Sequence, residues 1–113
     1  MTIRISEAFD AVVNLVTVLK AAPLNRCPGA WEHQLGDTGW YIAVNAHGEP
    51  RRVTPEGGMP VDVPPFHLAV WWHGWLAGIL HPTEGGQFAA HPDGANEDRF
   101  IADVTAATKA ASA

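Results

Sequence analysis

The sequence predicts an α+β protein in which an N-terminal and a C-terminal helix flank an antiparallel sheet of about four to six strands. Apolar residues recur at helical spacing near both ends of the chain and alternate with polar residues between them. The alternating segments are separated by short turns, which join strands as antiparallel hairpins. The length of 113 residues predicts a single domain spanning 1–113.

The first helix is predicted over about 6–21. Ser6 is suited to its N-cap, and Lys20 and Pro23 mark its end. Because valines are common in this segment and form helices poorly, packing against the sheet must stabilise it. One helical stripe holds Ile5, Ala8, Phe9, Val12, Leu15, Val16 and Leu19.

Six strands are predicted at about 30–36, 39–46, 51–54, 66–73, 75–81 and 87–90. The sequences "GDTG" (36–39) and "HG" (73–74) predict hairpin turns. Two prolines interrupt "VDVPPF" (61–66), which predicts an edge strand or the lead-in to a strand. Strict alternation divides the strand after His73–Gly74 into two faces, one with Trp75, Ala77 and Ile79 and the other with Leu76 and Leu80.

The second helix is predicted over about 96–109, with Asn96 or Asp93 as its N-cap. Its narrow apolar stripe consists of Phe100, Ile101, Val104 and Thr108.

The run "AVWWHGWLAGIL" (69–80) predicts a hairpin that is apolar on both faces. Two helices can cover one face of the sheet, and two exposed tryptophans on the second face would form a patch near the limit that a soluble monomer tolerates. Three covers are possible: the chain's own loop 50–65, a second copy of the chain, or another partner or small ligand.

The charge balance indicates which partners the chain can have. Seven Lys and Arg against twelve Asp and Glu give a net charge of −5. This argues against direct nucleic-acid binding, which requires basic residues, and fits a basic protein partner. The start "MTIRISEAFD" does not resemble a signal peptide, and no apolar run could span a bilayer, so a cytoplasmic protein without membrane contact is expected.

No familiar catalytic motif is present, so no catalytic residue and no cofactor is predicted. Cys27, the only cysteine, lies beside Arg26 in a loop and is interpreted as incidental. The six histidines form no H-x-H or H-E-x-x-H pattern, and the glycines form no phosphate-binding loop. The weak candidates for a metal site are His81, His91 and Asp93.

The favoured interpretation is a non-enzymatic interaction protein. Its acidic second helix would dock on a basic groove, and aromatic side chains would anchor the contact. In general character it resembles phage and mobile-element inhibitors of bacterial defence proteins that bind nucleic acid, such as anti-CRISPR proteins. Two alternatives remain: a small-molecule-binding module or minor enzyme with a Trp/His-lined pocket, and a homodimeric structural domain. The predicted partner-binding residues are Tyr41, Trp71, Trp75, Asp93, Glu97, Asp98 and Asp103, with Glu84 near them.

Overall fold

The computed structural model describes residues 7–19, 30–83 and 85–112. Its elements in chain order are α1 (Glu7–Val18), β1 (Ala30–Gln34), β2 (Trp40–Asn45), β3 (Arg51–Val53), β4 (Val61–Val63), β5 (Leu68–Trp72), β6 (Trp75–His81), β7 (Gly85–Phe88) and α2 (Glu97–Ala111). These elements confirm the α+β class with a helix near each end. Among the described residues, no helix has the length and apolar character needed to cross a membrane.

Some predictions concern residues outside the described ranges. They are the cap at Ser6, the helix end at Lys20 and Pro23, the interpretation of Cys27 and Arg26, and the position of Glu84.

The main sheet has five strands in the order β1-β2-β5-β6-β7, and all neighbours are antiparallel. The remaining strands, β3 and β4, form a separate two-stranded sheet in which Arg51 pairs with Val63. The strand predicted at 51–54 therefore lies outside the main sheet. Its partner β4 is the segment whose prolines predicted an edge strand.

The turn between β5 and β6 follows the sequence prediction. His73 and Gly74 have φ of 46° and 83°. Two consecutive residues with positive φ are typical of the two-residue turns whose twist matches that of a hairpin. Phe66 also has a positive φ, 61°, and its side chain is 50% exposed. It thus precedes β5 instead of beginning it, contrary to the predicted strand start at 66.

A β-bulge in the β5–β6 hairpin changes which side chains share a face. Val70 pairs with Gly78 but Trp71 pairs with Leu76, so β6 contains one extra residue, Ala77. Side chains beyond a bulge change sides relative to strict alternation. The alternation predicted for this strand was therefore wrong at its end: Ile79 lies on the face of Leu76, and Leu80 lies on the face of Ala77.

One face of the main sheet packs against the helices, which also contact each other. The centre of this core is aromatic: the ring of Trp40 lies 4.6 Å from that of Trp72 and 5.0 Å from that of Phe100. The helix α2 begins as expected, because the side-chain oxygen of Asn96 accepts a hydrogen bond from the backbone N–H of Arg99 at 2.9 Å. Asn96, one of the two predicted caps, is thus the N-cap.

The β3–β4 hairpin covers the other face of the main sheet. Val53 and Val63 pack with Ala43, Ala69 and Trp71 in a second buried cluster. The chain's own segment 50–65 is therefore the cover that the two-sided apolar hairpin requires. That face needs neither a second copy nor a ligand to exclude water.

Polar contacts anchor the hairpin at both of its ends. The amide of buried Asn45 donates to the carbonyl of Val63 at 3.0 Å. At the other end, the indole N–H of Trp71 donates to the carbonyl of Met59 at 3.1 Å, and the N–H of Met59 donates to the carbonyl of Gly74 at 3.2 Å. These contacts hold the Pro55–Met59 turn against the His73–Gly74 turn.

Candidate interaction surface at the turn end of the sheet

Four segments meet at one end of the main sheet, and we call this region the turn end. It comprises residues 35–39, 55–59, 73–75 and 91–99. The pairing of Trp40 with Trp72, and of Trp72 with Trp75, aligns the first and third segments. The hydrogen bond from the Met59 N–H to the Gly74 carbonyl places segment 55–59 beside them. The ring of His91 lies 5.0 Å from that of Trp75, which places segment 91–99 there as well.

The turn end is strongly acidic. Its four segments contain five carboxylates and a single Lys or Arg, which is Arg99. The Arg99 guanidinium lies 5.2 Å from the ring centroid of Trp72 and 3.9 Å from the Asp103 carboxylate, so neighbouring groups already engage it. The carboxylates belong to Asp37, Glu56, Asp93, Glu97 and Asp98, of which Glu97 is half-buried and the others are exposed.

Exposed apolar side chains accompany these charges. Trp75 is 36% exposed and Met59 is 50% exposed. The indole of Trp75 is fixed on one side, because His91 packs edge-on against it. A rigid, partly exposed aromatic within a polar and charged surround is the arrangement typical of the anchor in a protein–protein interface.

The predicted site residues thus fall into separate groups, and three of them lie at the turn end with Trp75. Asp93, Glu97 and Asp98 are located where the start of α2 faces solvent, close to the Trp75 hairpin. Sequence reasoning found these residues, but it did not include Asp37, Glu56 and Met59. Those three come from other turns, and only the tertiary contacts between turns place them at this end.

Asp103 has a different environment. Its carboxylate accepts a hydrogen bond from the indole N–H of Trp40 at 2.8 Å, and its side chain is 30% exposed. This bond ties α2 to the first residue of β2. Helical spacing could have predicted this environment, since Asp103 follows Phe100 by three residues and therefore borders the buried stripe of α2.

Trp71 and Tyr41 lie on the opposite face of the sheet from Trp75. Trp71 is completely buried beneath β3–β4 and offers no surface to a partner. The ring of half-buried Tyr41 packs edge-on against it at 5.8 Å. The Tyr41 hydroxyl donates to the Glu32 carboxylate. Burial, this hydrogen bond and the Glu32 charge all raise the pKa of Tyr41, so the side chain stays a neutral phenol in the folded protein.

A cleft of about 500 Å³ opens beside Tyr41, between the main sheet and the Pro55–Gly57 segment. His73 is one of its lining residues, and the His73 ring packs so closely on Gly39 that it would clash with a Cβ at that position. Its lining consists of Gln34, Gly39, Tyr41, Pro55, Glu56, Gly57, His73 and Gly74.

The weak metal candidates do not come together. His91 lies beside Trp75 at the start of β6, whereas His81 lies at the other end of that strand and packs against His67 at 4.5 Å. A strand of this length separates them by about 20 Å. Asp93 approaches only His91, at 3.4 Å. Within the described ranges, no three His, Cys, Asp or Glu side chains are grouped so that they could hold a metal ion.

Comparison of the chain with models of known protein families, with curated proteins and with solved structures gives no match.

Proposed function

We propose that this protein is a cytoplasmic, non-enzymatic interaction protein that occupies the basic nucleic-acid-binding surface of another protein. Its most concrete form is a phage or mobile-element inhibitor of a bacterial defence protein. The observation that carries the proposal is the composition of the turn end, whose four segments hold five carboxylates together with exposed Trp75 and Met59.

Charge supports a partner that normally binds nucleic acid. A protein surface that holds phosphates presents several Lys and Arg side chains, and spaced carboxylates can engage the same side chains. Complementary potentials also accelerate association and make it sensitive to salt. Asp93, Asp98 and Asp37 are exposed on different turns, so their charges are spread across the surface.

The exposed apolar groups support a specific complex in addition to electrostatic attraction. Exposed charge pairs contribute little affinity individually, whereas a buried aromatic anchor at the centre of an interface contributes about 2 kcal/mol or more. Trp75 is placed to act in this way, because it directly follows the His73–Gly74 turn, packs on His91 and is 36% exposed at the acidic turn end.

The test begins with the purified protein. Sedimentation first establishes whether it is monomeric, since a stable dimer that buries Trp75 would contradict the proposal. The immobilised protein is then exposed to nuclease-treated lysate of the native host. We expect it to retain a basic nucleic-acid-binding protein, and the retained protein should be released by about 0.5 M salt and by a DNA or RNA oligonucleotide.

Matched variants make the test specific. Trp75→Ala should abolish retention and Asp98→Lys should reduce it, whereas Glu49→Lys, an equal charge change in an exposed turn at the other end of β2, should preserve it. The purified partner should lose nucleic-acid binding when this protein is added. A partner that Trp75→Ala and Asp98→Lys retain as well as the unchanged protein does, or one that binds nucleic acid and this protein together, would refute the proposal.

A further inference from the structure

We propose that the cleft beside Tyr41 binds a guanidinium group, and that an arginine side chain of the basic partner supplies it. The second part of this statement rests on the proposed function. The cleft belongs to the turn end through Glu56, His73 and Gly74, but it opens on the face of the sheet opposite Trp75.

The side chains that line the cleft offer hydrogen-bond acceptors more than donors. The Gln34 amide nitrogen donates to the carbonyl of Trp40 at 3.1 Å, which leaves the Gln34 side-chain oxygen as an acceptor. The proton of the Tyr41 hydroxyl is directed to Glu32, so the Tyr41 oxygen is an acceptor towards other groups. The carboxylate of exposed Glu56 adds two acceptor oxygens. A ligand with several N–H donors therefore complements this lining.

Charge selects a cation among donor-rich ligands. Glu56 lines the cleft, and the Glu32 carboxylate lies behind the Tyr41 hydroxyl. No Lys or Arg is among the residues that line the cleft. The closest basic side chains on the covering hairpin are those of β3, where Arg52 is paired with Asp62 at 3.0 Å.

The shape and aromatic walls favour a guanidinium over an ammonium group. A guanidinium is planar, directs its N–H groups to several sides in one plane, and stacks on aromatic rings. Tyr41 and His73 are the aromatic residues among those that line the cleft, and tryptophans pack against both rings and fix their positions. Three glycines hold the backbone close: a Cβ at Gly74 would lie 2.5 Å from the Gly57 carbonyl oxygen, and one at Gly58 would lie 3.1 Å from the Gly74 Cα. The cleft is therefore formed before a ligand arrives.

The experiment titrates the ¹⁵N-labelled full chain with N-acetyl-L-argininamide and follows the backbone amide signals. We expect shifts at Gly39, Gly57 and Gly74 with about millimolar affinity, as is usual for a fragment of this size. N-acetyl-L-citrullinamide, the neutral analogue, should leave these signals unchanged. N-acetyl-L-lysinamide has the same charge as the arginine probe, and it should bind at least about threefold more weakly.

Variants and a second probe separate the remaining explanations. Glu56→Gln should weaken the arginine probe about fivefold, while Glu49→Gln, the same change at the other end of β2, should leave its affinity unchanged. Equal binding of the lysine and arginine probes would refute the guanidinium assignment. Binding of free L-arginine without binding of the blocked probe would refute a partner side chain as its source. Because no partner protein is used, this result and the capture result can fail independently.

Discussion

The hydrogen bond between Trp40 and Asp103 indicates that Asp103 stabilises the core and does not belong to the interaction surface. The variant Asp103→Ala tests this assignment. The Trp40 indole is fully buried and its N–H donates to the carboxylate at 2.8 Å. Without Asp103 this donor has no obvious replacement acceptor. The indole N–H of neighbouring Trp72 is buried and has no hydrogen-bond partner in the described part of the chain, so acceptors in this region are already scarce.

The expected loss of stability follows from this geometry. Removing a charged acceptor while its donor stays buried costs about 1.5–3 kcal/mol. The contact of Asp103 with Arg99 adds little, because the two side chains are 30% and 49% exposed and 3.9 Å apart. We therefore expect Asp103→Ala to lower the free energy of unfolding by about 2 kcal/mol. Asp103→Asn, which keeps an acceptor oxygen, should lose about half as much.

Urea unfolding followed by tryptophan fluorescence measures this loss. With a typical urea dependence for a domain of this size, about 2 kcal/mol corresponds to a decrease of about 1 M in the midpoint. Asp98→Ala is the matched control, since it removes an exposed carboxylate from the first turn of the same helix and should cost about 0.5 kcal/mol. If Asp103→Ala loses no more than Asp98→Ala, the bond does not stabilise the fold. Combining Asp103→Ala with Trp40→Phe checks the assignment, because the Asp103→Ala loss should then fall to the control value.

Three further predictions concern the covered face and the turn end. In urea titrations, Trp71→Ala should lower the free energy of unfolding by about 3–5 kcal/mol and Trp75→Ala by about 1 kcal/mol. Trp71→Ala should leave the oligomeric state unchanged in sedimentation. Similar losses for the two variants would mean that β3–β4 covers Trp71 only loosely. Gly39→Ala should lower the free energy of unfolding by about 1–2 kcal/mol, because Gly39 has a φ of 96° and a Cβ there would meet the His73 ring. Gly48→Ala, which has open space around it, should be neutral within about 0.5 kcal/mol. Equal thermal midpoints for the two variants would contradict this reasoning. Tyr41 is the only tyrosine, so ultraviolet absorbance reports its ionisation directly: the raised pKa predicts a neutral phenol in the folded protein at about pH 10.5, where the urea-unfolded chain is largely ionised. The stabilisation linked to this shift is complete below the pKa of Tyr41 in the unfolded chain and is lost as pH rises through its pKa in the folded protein. Coincident absorbance titration curves for the folded and unfolded protein would exclude the shift.

Local sequence patterns were sufficient for most of the elements, although β4 (Val61–Val63) was not among the six predicted strands. The helix beginning at Asn96 and the tight turn at His73–Gly74 follow from capping and turn preferences that act over a few residues. Alternation correctly separated Trp40 and Ile42 from Ala43. It failed in β6, because the bulge at Ala77 interrupts the alternation, and the only local signal for it is the adjacent Gly78, an isolated glycine inside a strand.

The candidate surface was only partly predictable. The carboxylates at the start of α2 were identified from sequence as an acidic cluster suited to a basic groove, and Trp75 as an aromatic of the two-sided apolar hairpin. The same reasoning grouped Trp71 with Trp75 although they lie on opposite faces, and it grouped Asp103 with the exposed acids although Trp40 engages it.

The amino-acid sequence by itself determined the α+β class, the hairpins, the acidic character and the need to cover a two-sided apolar hairpin. These properties depend on the composition of the chain and on periodicity over a few consecutive residues, and both can be read without knowing which distant residues are in contact. Only the tertiary structure decided that segment 50–65 provides the cover and that four separate turns form one acidic end. Both depend on contacts between residues far apart in the chain, such as Asn45 with Val63, Met59 with Gly74 and Trp75 with His91, and such pairings are set by the packing of the whole domain.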